Sequence, residues 1–262
     1  MTADILQHQL YLQKARKPYA LATVVEIIGS SSAKPAAKAV IDPAGKVLAG
    51  WIGGGCAQTM VAQTALDGLA TGEPKVIGSD LTDEIFGAGM PCGGHMRVYV
   101  EPVLPKPMLW LIGHGRIVES LAAWAFGLGF DITVNDPQAT SEAFGMACQI
   151  IADDARYQQL KPQAGDYVVI ATHHKGDYEA LTQALQSQAG YIALVASRKR
   201  AQLVLQRLAR AGVASETLSR VWAPAGLALG GKTPEEIALA IASEMVMVRR
   251  GGQAQSLSRA VP

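Results

Sequence analysis

At 262 residues the chain is longer than one typical domain and short for three, so two domains are expected. Its 49% apolar and 17% charged composition suits a soluble globular protein, and a net charge of +1 excludes field-driven binding to nucleic acid or an anionic membrane. No apolar run approaches the roughly 20 residues of a membrane span, no signal-peptide block opens the chain, and Cys56, Cys92 and Cys148 make no disulfide framework, so a cytoplasmic location is expected.

Residues 2–16 predict an amphipathic helix, with Ile5, Leu6, Gln9, Leu10 and Gln13 at helical spacing. Tyr19–Ile28 is rich in β-branched residues and predicts a buried strand, followed by a small polar loop from Gly29 to Pro35. Val40–Asp42 and Lys46–Leu48 flank Pro43–Ala44–Gly45 as a hairpin. Gly53–Gly54–Gly55–Cys56 then leads into a helix from Ala57 to about Leu69. Val76–Ile77 starts another strand, and Gly87–Gly94 is a second glycine-rich loop around Cys92. From Met96 to Glu101 apolar and polar residues alternate, the period of a half-buried strand.

Three prolines in Pro102–Pro107 mark a linker, placed at residues 103–107 between domains of residues 1–102 and 108–250. Beyond it, strands at Met108–Ile112, Asp131–Asn135, Cys148–Ile151, Tyr167–Ala171 and Tyr191–Ala196 alternate with helices at 116–127, 176–188 and 199–211. The fold class is therefore α/β: a Rossmann-like parallel sheet, covered on both faces, preceded by a smaller mixed α/β domain. Thr233–Pro234–Glu235–Glu236 carries a capping box with proline at the first helical position, opening a last helix that runs to about Val248. Residues 251–262 are expected to be disordered.

Gly113–His114–Gly115 sits between a strand and a helix, where glycines permit a tight turn and let a pyrophosphate approach the backbone. Asp136 follows 21 residues after Gly115, the place for a carboxylate that accepts from a ribose 2′-hydroxyl. Val118 stands where a third small residue would let helix and strand pack closely. A Rossmann fold that no longer holds a dinucleotide is the competing reading.

Cys56 lies at a helix start, where amides and macrodipole favour a thiolate that could serve as metal ligand or nucleophile. A small buried cysteine beside turn glycines explains it equally well. Cys92–Gly93–Gly94 offers a second thiol in a loop that lets backbone approach a ligand, or a loop cysteine with no task; Cys148 reads as core. His173 follows a strand end, where it could face a cleft with Asp177 orienting it, or cap the next helix. Ser197–Arg198–Lys199–Arg200 could hold a phosphate at a helix start, or form a solvated charge run.

In order, these segments resemble the XdhC/CoxI family of xanthine-dehydrogenase accessory proteins. The matching blocks are Gly29–Ser31 through Pro35, Gly53–Cys56, Cys92–Gly94 with Glu101–Pro102, Gly113–Gly115, Thr172–His173 with Asp177, Ser197–Arg200, and Pro224–Leu227 leading to Gly230 and Thr233–Ala238. They cover most of residues 20–247. The resemblance implies a chaperone without turnover of its own. Its cargo would be the molybdenum cofactor, as molybdopterin or its cytosine dinucleotide form. It would support sulfuration of that cofactor, with a cysteine desulfurase as a further partner, and deliver it to an apo-molybdoenzyme of the xanthine dehydrogenase class. A homodimer is implied as well.

On this likeness Cys56 is the first candidate for cofactor and metal contact and Cys92 the second. Gly54, Gly55, Gly113, Gly115, Asp136, His173, Ser197 and Arg198 complete the candidate binding set. Such a carrier needs the two domains to face each other across a cleft. The chain departs from the family pattern at Ala33–Lys34–Pro35–Ala36, where arginine and a Pro-Gly pair are usual, at Gln58, commonly acidic, and at His174–Lys175, where Asp and His usually stand. A divergent subgroup, another cofactor form or another client would account for these changes.

Two other functions stay open. In an NAD-dependent oxidoreductase, Asp136 would select NAD and His173 would act as acid or base. In a nucleotide-sensing regulator, NAD or another adenine nucleotide would change a domain arrangement. No DNA-binding motif supports a transcriptional role.

Overall fold

The computed structural model describes residues 2–29, 31–80, 95–145, 148–173 and 176–258. The chain divides into two compact units, Met1–Pro105 and Lys106–Pro262.

The first unit runs α1 (Thr2–Lys14), β1 (Tyr19–Ile28), β2 (Lys38–Ile41), β3 (Val47–Gly50), α2 (Cys56–Thr71), β4 (Lys75–Asp80) and β5 (His95–Val103). Its strands form an antiparallel sheet in the order β3-β2-β1-β5-β4. The β2–β3 turn is held by Asp42, whose Oδ1 accepts from the backbone N–H groups of Ala44 and Lys46, each at 2.9 Å. Alternation then assigns the faces. Ala20, Ala22, Val24, Ile41, Val98 and Val100 pack with Val61 and Ala65 of α2, while Tyr19, Val40 and Ala49 pack with Ile5 and Leu12 of α1.

Val103, expected in the linker, belongs to β5 and pairs with Tyr19. The pairing of β4 with β5 stops at Val100. Beyond it β5 has one neighbour, so Pro102 fits where its missing N–H is not needed.

The second unit runs β6 (Met108–Gly113), α3 (Arg116–Gly127), β7 (Asp131–Asn135), α4 (Ser141–Phe144), β8 (Cys148–Ile151), β9 (Tyr167–Ala171), α5 (Asp177–Leu185), β10 (Tyr191–Leu194), α6 (Arg198–Arg210), α7 (Ser215–Leu218), β11 (Val221–Trp222) and α8 (Pro234–Arg250). All six strands are parallel, in the order β11-β10-β9-β6-β7-β8. From β8 inward this is the doubly wound order of a Rossmann domain, with the switch point between β6 and β9.

Leu111, Val134, Val169 and Ala193 meet Leu121 of α3 and Ile241 of α8 on one face. Ile112, Val168, Ile170 and Ile192 meet Leu181 of α5 and Val204 of α6 on the other. Val118, the bulky residue at the third motif position, is buried in the first of these cores, where its branched side chain fills space between α3 and the sheet. Cys148, expected in the core, is only half-buried because β8 is the sheet edge. Its thiol lies 3.6 Å from the Phe144 carbonyl, and burial pushes its pKa up.

The α8 N-terminus carries the anticipated capping box: Thr233 accepts from the Glu236 backbone, and the Glu236 side chain accepts from the Thr233 backbone. The short α4, α7 and β11 have no counterpart in the sequence-based prediction. Their two to four residues are too few to show a period.

Candidate functional site

The carboxyl ends of β6 and β9 lie side by side, with Gly113 paired to Ala171. Gly113 has φ +129°, and a Cβ there would stand 2.2 Å from the Ala171 carbonyl oxygen, so only glycine allows this approach. Gly115, at φ +90°, is the N-cap of α3 and supplies no side-chain hydrogen bond. The positive end of that helix is left to a ligand or water.

His114 and His173 stand at this junction with ring centroids 4.8 Å apart. His173, in the left-handed region at φ 51°, donates from Nε2 to the His114 carbonyl at 3.2 Å. A carbonyl can only accept, so Nε2 carries a proton. His114 in turn reaches Asp136 at the end of β7: its Nδ1 lies 3.1 Å from Asp136 Oδ1. That nitrogen is buried and has no hydrogen-bond partner among the described residues, so the contact is a close approach rather than a directed bond. The same Oδ1 accepts from the Gln138 backbone at 2.8 Å. Asp136, expected to read a ribose, is thus engaged within the protein.

Beside the imidazoles lies a cavity of about 340 Å³, bounded by His114, Gly115, Ile117, His173, Val195 and Pro234. Among the described residues, no carboxylate lines it. Arg116 also lines it and pairs with Glu235, which ties the start of α3 to the start of α8. The Glu235 carboxyl is held below its usual range by its own backbone amide and then by Arg116.

Asp177 was a candidate to orient His173, but the fold uses it otherwise. Buried at the start of α5, its Oδ1 accepts from the Thr172 hydroxyl at 2.5 Å and its Oδ2 from Arg200 Nε at 3.2 Å. It thereby joins β9, α5 and α6. Ser197 caps α6 by accepting from the Arg200 backbone at 3.3 Å, and Arg198 is exposed in the first turn.

Sequence reasoning missed Tyr157, which sits at φ 57° with its hydroxyl 2.5 Å from where a Cβ on Gly176 would be. Burial, and then Asp136, Glu179, Asp177 and Asp154, raise its pKa. Nothing local marks this tyrosine, since it comes from an irregular stretch brought to the strand ends only by folding. Among the described residues, no group of three or more His, Cys, Asp or Glu is placed to hold a metal ion. No helix among them is long and apolar enough to cross a membrane.

In the first unit, the GGGC turn places Cys56 as the first residue of α2, a helix of 16 residues whose N-cap Gly55 (φ 58°) lends no side-chain bond. The first turn of α2 carries no acidic residue. Among the described residues, a Cβ at Gly54 would meet nothing within 4 Å. Cys92 lies outside the described residues.

The strand order, glycine turn and switch-point cavity define a Rossmann-type unit, which follows an antiparallel α/β unit in the chain. Comparison with known proteins narrows this class. Residues 109–245 match the XdhC Rossmann domain and residues 12–78 match the XdhC and CoxI family. The chain belongs to this family.

Uncharacterized protein YqeB of Escherichia coli (strain K12) is 31% identical over 262 residues, 94% of this chain and 46% of that protein. A probable xanthine dehydrogenase subunit of Bacillus subtilis (strain 168) is 30% identical over 160 residues, 59% of this chain and 46% of that protein. The chain thus spans about half the length of the curated relatives it matches. A crystal structure of a xanthine dehydrogenase from Bacillus halodurans shares the fold at TM-score 0.50 and 22% identity, over 96% of this chain and 98% of that one.

Proposed function

We propose that this chain is an accessory protein for an enzyme of the xanthine dehydrogenase class. It binds the molybdenum cofactor as cargo, supports its sulfuration and passes it to the apo-enzyme, without turnover of its own. The observation that carries this reading is the switch-point cavity in a chain of the XdhC family. An uncapped helix N-terminus, two imidazoles and glycines that expose backbone suit a phosphate ester, the polar end of a pterin cofactor.

Cys56 is the proposed sulfur contact to the metal, with Cys92 as the second. What supports it is the place of Cys56 as the first residue of a helix with no acid in its first turn, since helix starts in general favour thiolates and a thiolate is a soft ligand suited to a sulfur-bound metal. Gly54 and Gly55 lend exposed backbone, and Arg198 supplies a cation at the start of α6. A cysteine desulfurase is the proposed sulfur source, and a second copy of the chain the proposed partner in a homodimer.

The test is purification from a cell that makes the molybdenum cofactor, with pterin and molybdenum measured per protein. The wild type is expected to carry both. Cys56→Ala is expected to lose molybdenum and fail to activate a client enzyme while keeping its fold. A wild type that carries neither pterin nor metal, or one that turns over NADH with small carbonyl compounds, would overturn the reading.

A further inference from the structure

In this fold the acidic residue ending the second strand of the unit reads the cis-diol of a ribose. Here that residue is Asp136, and its position at the end of β7 is the right one. Its surroundings are not those of an open ribose reader. Oδ1 accepts from the Gln138 backbone at 2.8 Å and faces His114 Nδ1 at 3.1 Å. Of the roughly two lone-pair positions on that oxygen, Gln138 engages one, and the buried His114 nitrogen crowds the approach to the other. A diol that grips a carboxylate needs both of its oxygens.

The second observation concerns the cavity. His114 stands between Asp136 and that space, contributing to its wall, and the carboxylate is not among the lining groups. His114 is held in place from the other side as well. Its ring packs on His173, and its carbonyl accepts from His173 Nε2 at 3.2 Å. The chain Asp136–His114–His173 therefore runs across the switch point and presents imidazole where a ribose reader would present carboxylate.

We infer that His114 is a specificity-determining latch: it shuts Asp136 off from ribose diols and turns the site toward ligands that end in a phosphate monoester. This deepens the proposal above and rests on its reading of the cavity as a phosphate site. Of the two cofactor forms considered, it favours the nucleotide-free pterin phosphate over the cytosine dinucleotide, whose ribose bears such a diol.

The experiment compares ADP with 2′-deoxy-ADP by calorimetry on the full chain, as wild type, His114→Ala, and the His114→Ala/Asp136→Asn double variant. His114 is outside the left-handed region and partly exposed, so a small residue is compatible with its backbone. His114→Ser serves as a second variant with the same expectation, and thermal unfolding checks that each is folded. The wild type is expected to bind the two nucleotides within about twofold of each other. His114→Ala is expected to prefer ADP by about tenfold or more, one carboxylate–hydroxyl bond being worth that much, and the double variant is expected to lose the preference.

The inference is overturned by a wild type that already prefers ADP tenfold. It is equally overturned by folded His114→Ala and His114→Ser proteins that show no preference or bind neither nucleotide. Pterin content of the purified wild type is read separately. A nucleotide switch in a protein that carries no pterin would sink the cargo proposal and leave the latch standing; pterin binding without the switch would do the reverse.

Discussion

Glu244 offers the sharpest test of how the Rossmann unit is held together. Its carboxylate is buried, 5% exposed, on the inner face of α8. One oxygen, Oε2, accepts from the Tyr191 hydroxyl at 2.6 Å and from the Gly226 backbone at 2.9 Å. A single acceptor thereby ties β10, the loop before α8, and α8 itself. Glu244→Leu fills similar space but removes the acceptor. Tyr191, 1% exposed, then keeps a buried hydroxyl with nothing to donate to, a cost of about 1–3 kcal/mol. The Gly226 amide is only partly buried, so water replaces much of its bond and the added cost is about 1 kcal/mol.

The sum is about 3 kcal/mol, a large part of the roughly 5–15 kcal/mol that holds a protein folded. It corresponds to a fall of about 6–12 °C in Tm for a unit of this size. Urea unfolding followed by tryptophan fluorescence reports on this region, because the Trp222 ring lies 5.9 Å from that of Tyr191. Tyr191→Phe and the double variant complete the cycle, and a coupling of about 1.5 kcal/mol or more is expected. Costs that simply add, or a Glu244→Leu loss below about 1 kcal/mol, would refute the assignment of this carboxylate as the shared acceptor.

Two further outcomes follow from the same packing. Burial, then the hydrogen bond and charge of Glu244, push the Tyr191 hydroxyl far above its ordinary value, and burial raises Tyr167 despite Arg249. Above pH of about 10 the unfolded chain releases the Tyr191 proton and the folded one keeps it. Stability is therefore full below that pH and falls above it, by about 1.4 kcal/mol per pH unit from Tyr191, with a fall of the same sign from Tyr167. Tyr191→Phe should make the decline between pH 10 and 11 shallower in urea titrations, and parallel slopes would contradict the reasoning.

The two glycine turns should answer differently to alanine. Gly113→Ala, with its Cβ 2.2 Å from the Ala171 oxygen and φ at +129°, should cost about 3 kcal/mol or more. Gly54→Ala meets nothing within 4 Å among the described residues and should change stability by less than about 0.5 kcal/mol, so any loss of cofactor loading it caused would report ligand contact. A large destabilisation by Gly54→Ala, seen in the thermal midpoint, would remove that distinction.

Much of the fold was legible because its signals are local. The strand, glycine turn and helix at 108–127, the Asp42 turn and the Thr233–Glu236 capping box each lie within a few residues of chain and follow from propensity, period and caps. For the candidate site, sequence offered a list of residues and not a set of contacts. His173, Asp136 and Ser197 were all marked by their position after a strand, yet that position does not say what each side chain meets. Asp177 was one of two options for the surroundings of His173, and in the fold it accepts from Thr172 and Arg200. Tyr157 was missed because it belongs to no periodic element.

By itself, then, the amino-acid order determined the α/β class, most element boundaries, the glycine turns and the family likeness, since each depends on neighbours within a turn or a strand. Only the tertiary structure decided that His114 covers Asp136, that Arg200 is tied to Asp177 across 23 residues, and that Tyr191 meets Glu244 across 53. Those pairings depend on which strands lie side by side and which helices cover them. That choice is made by burying apolar faces, and the polar partners are brought together as its consequence.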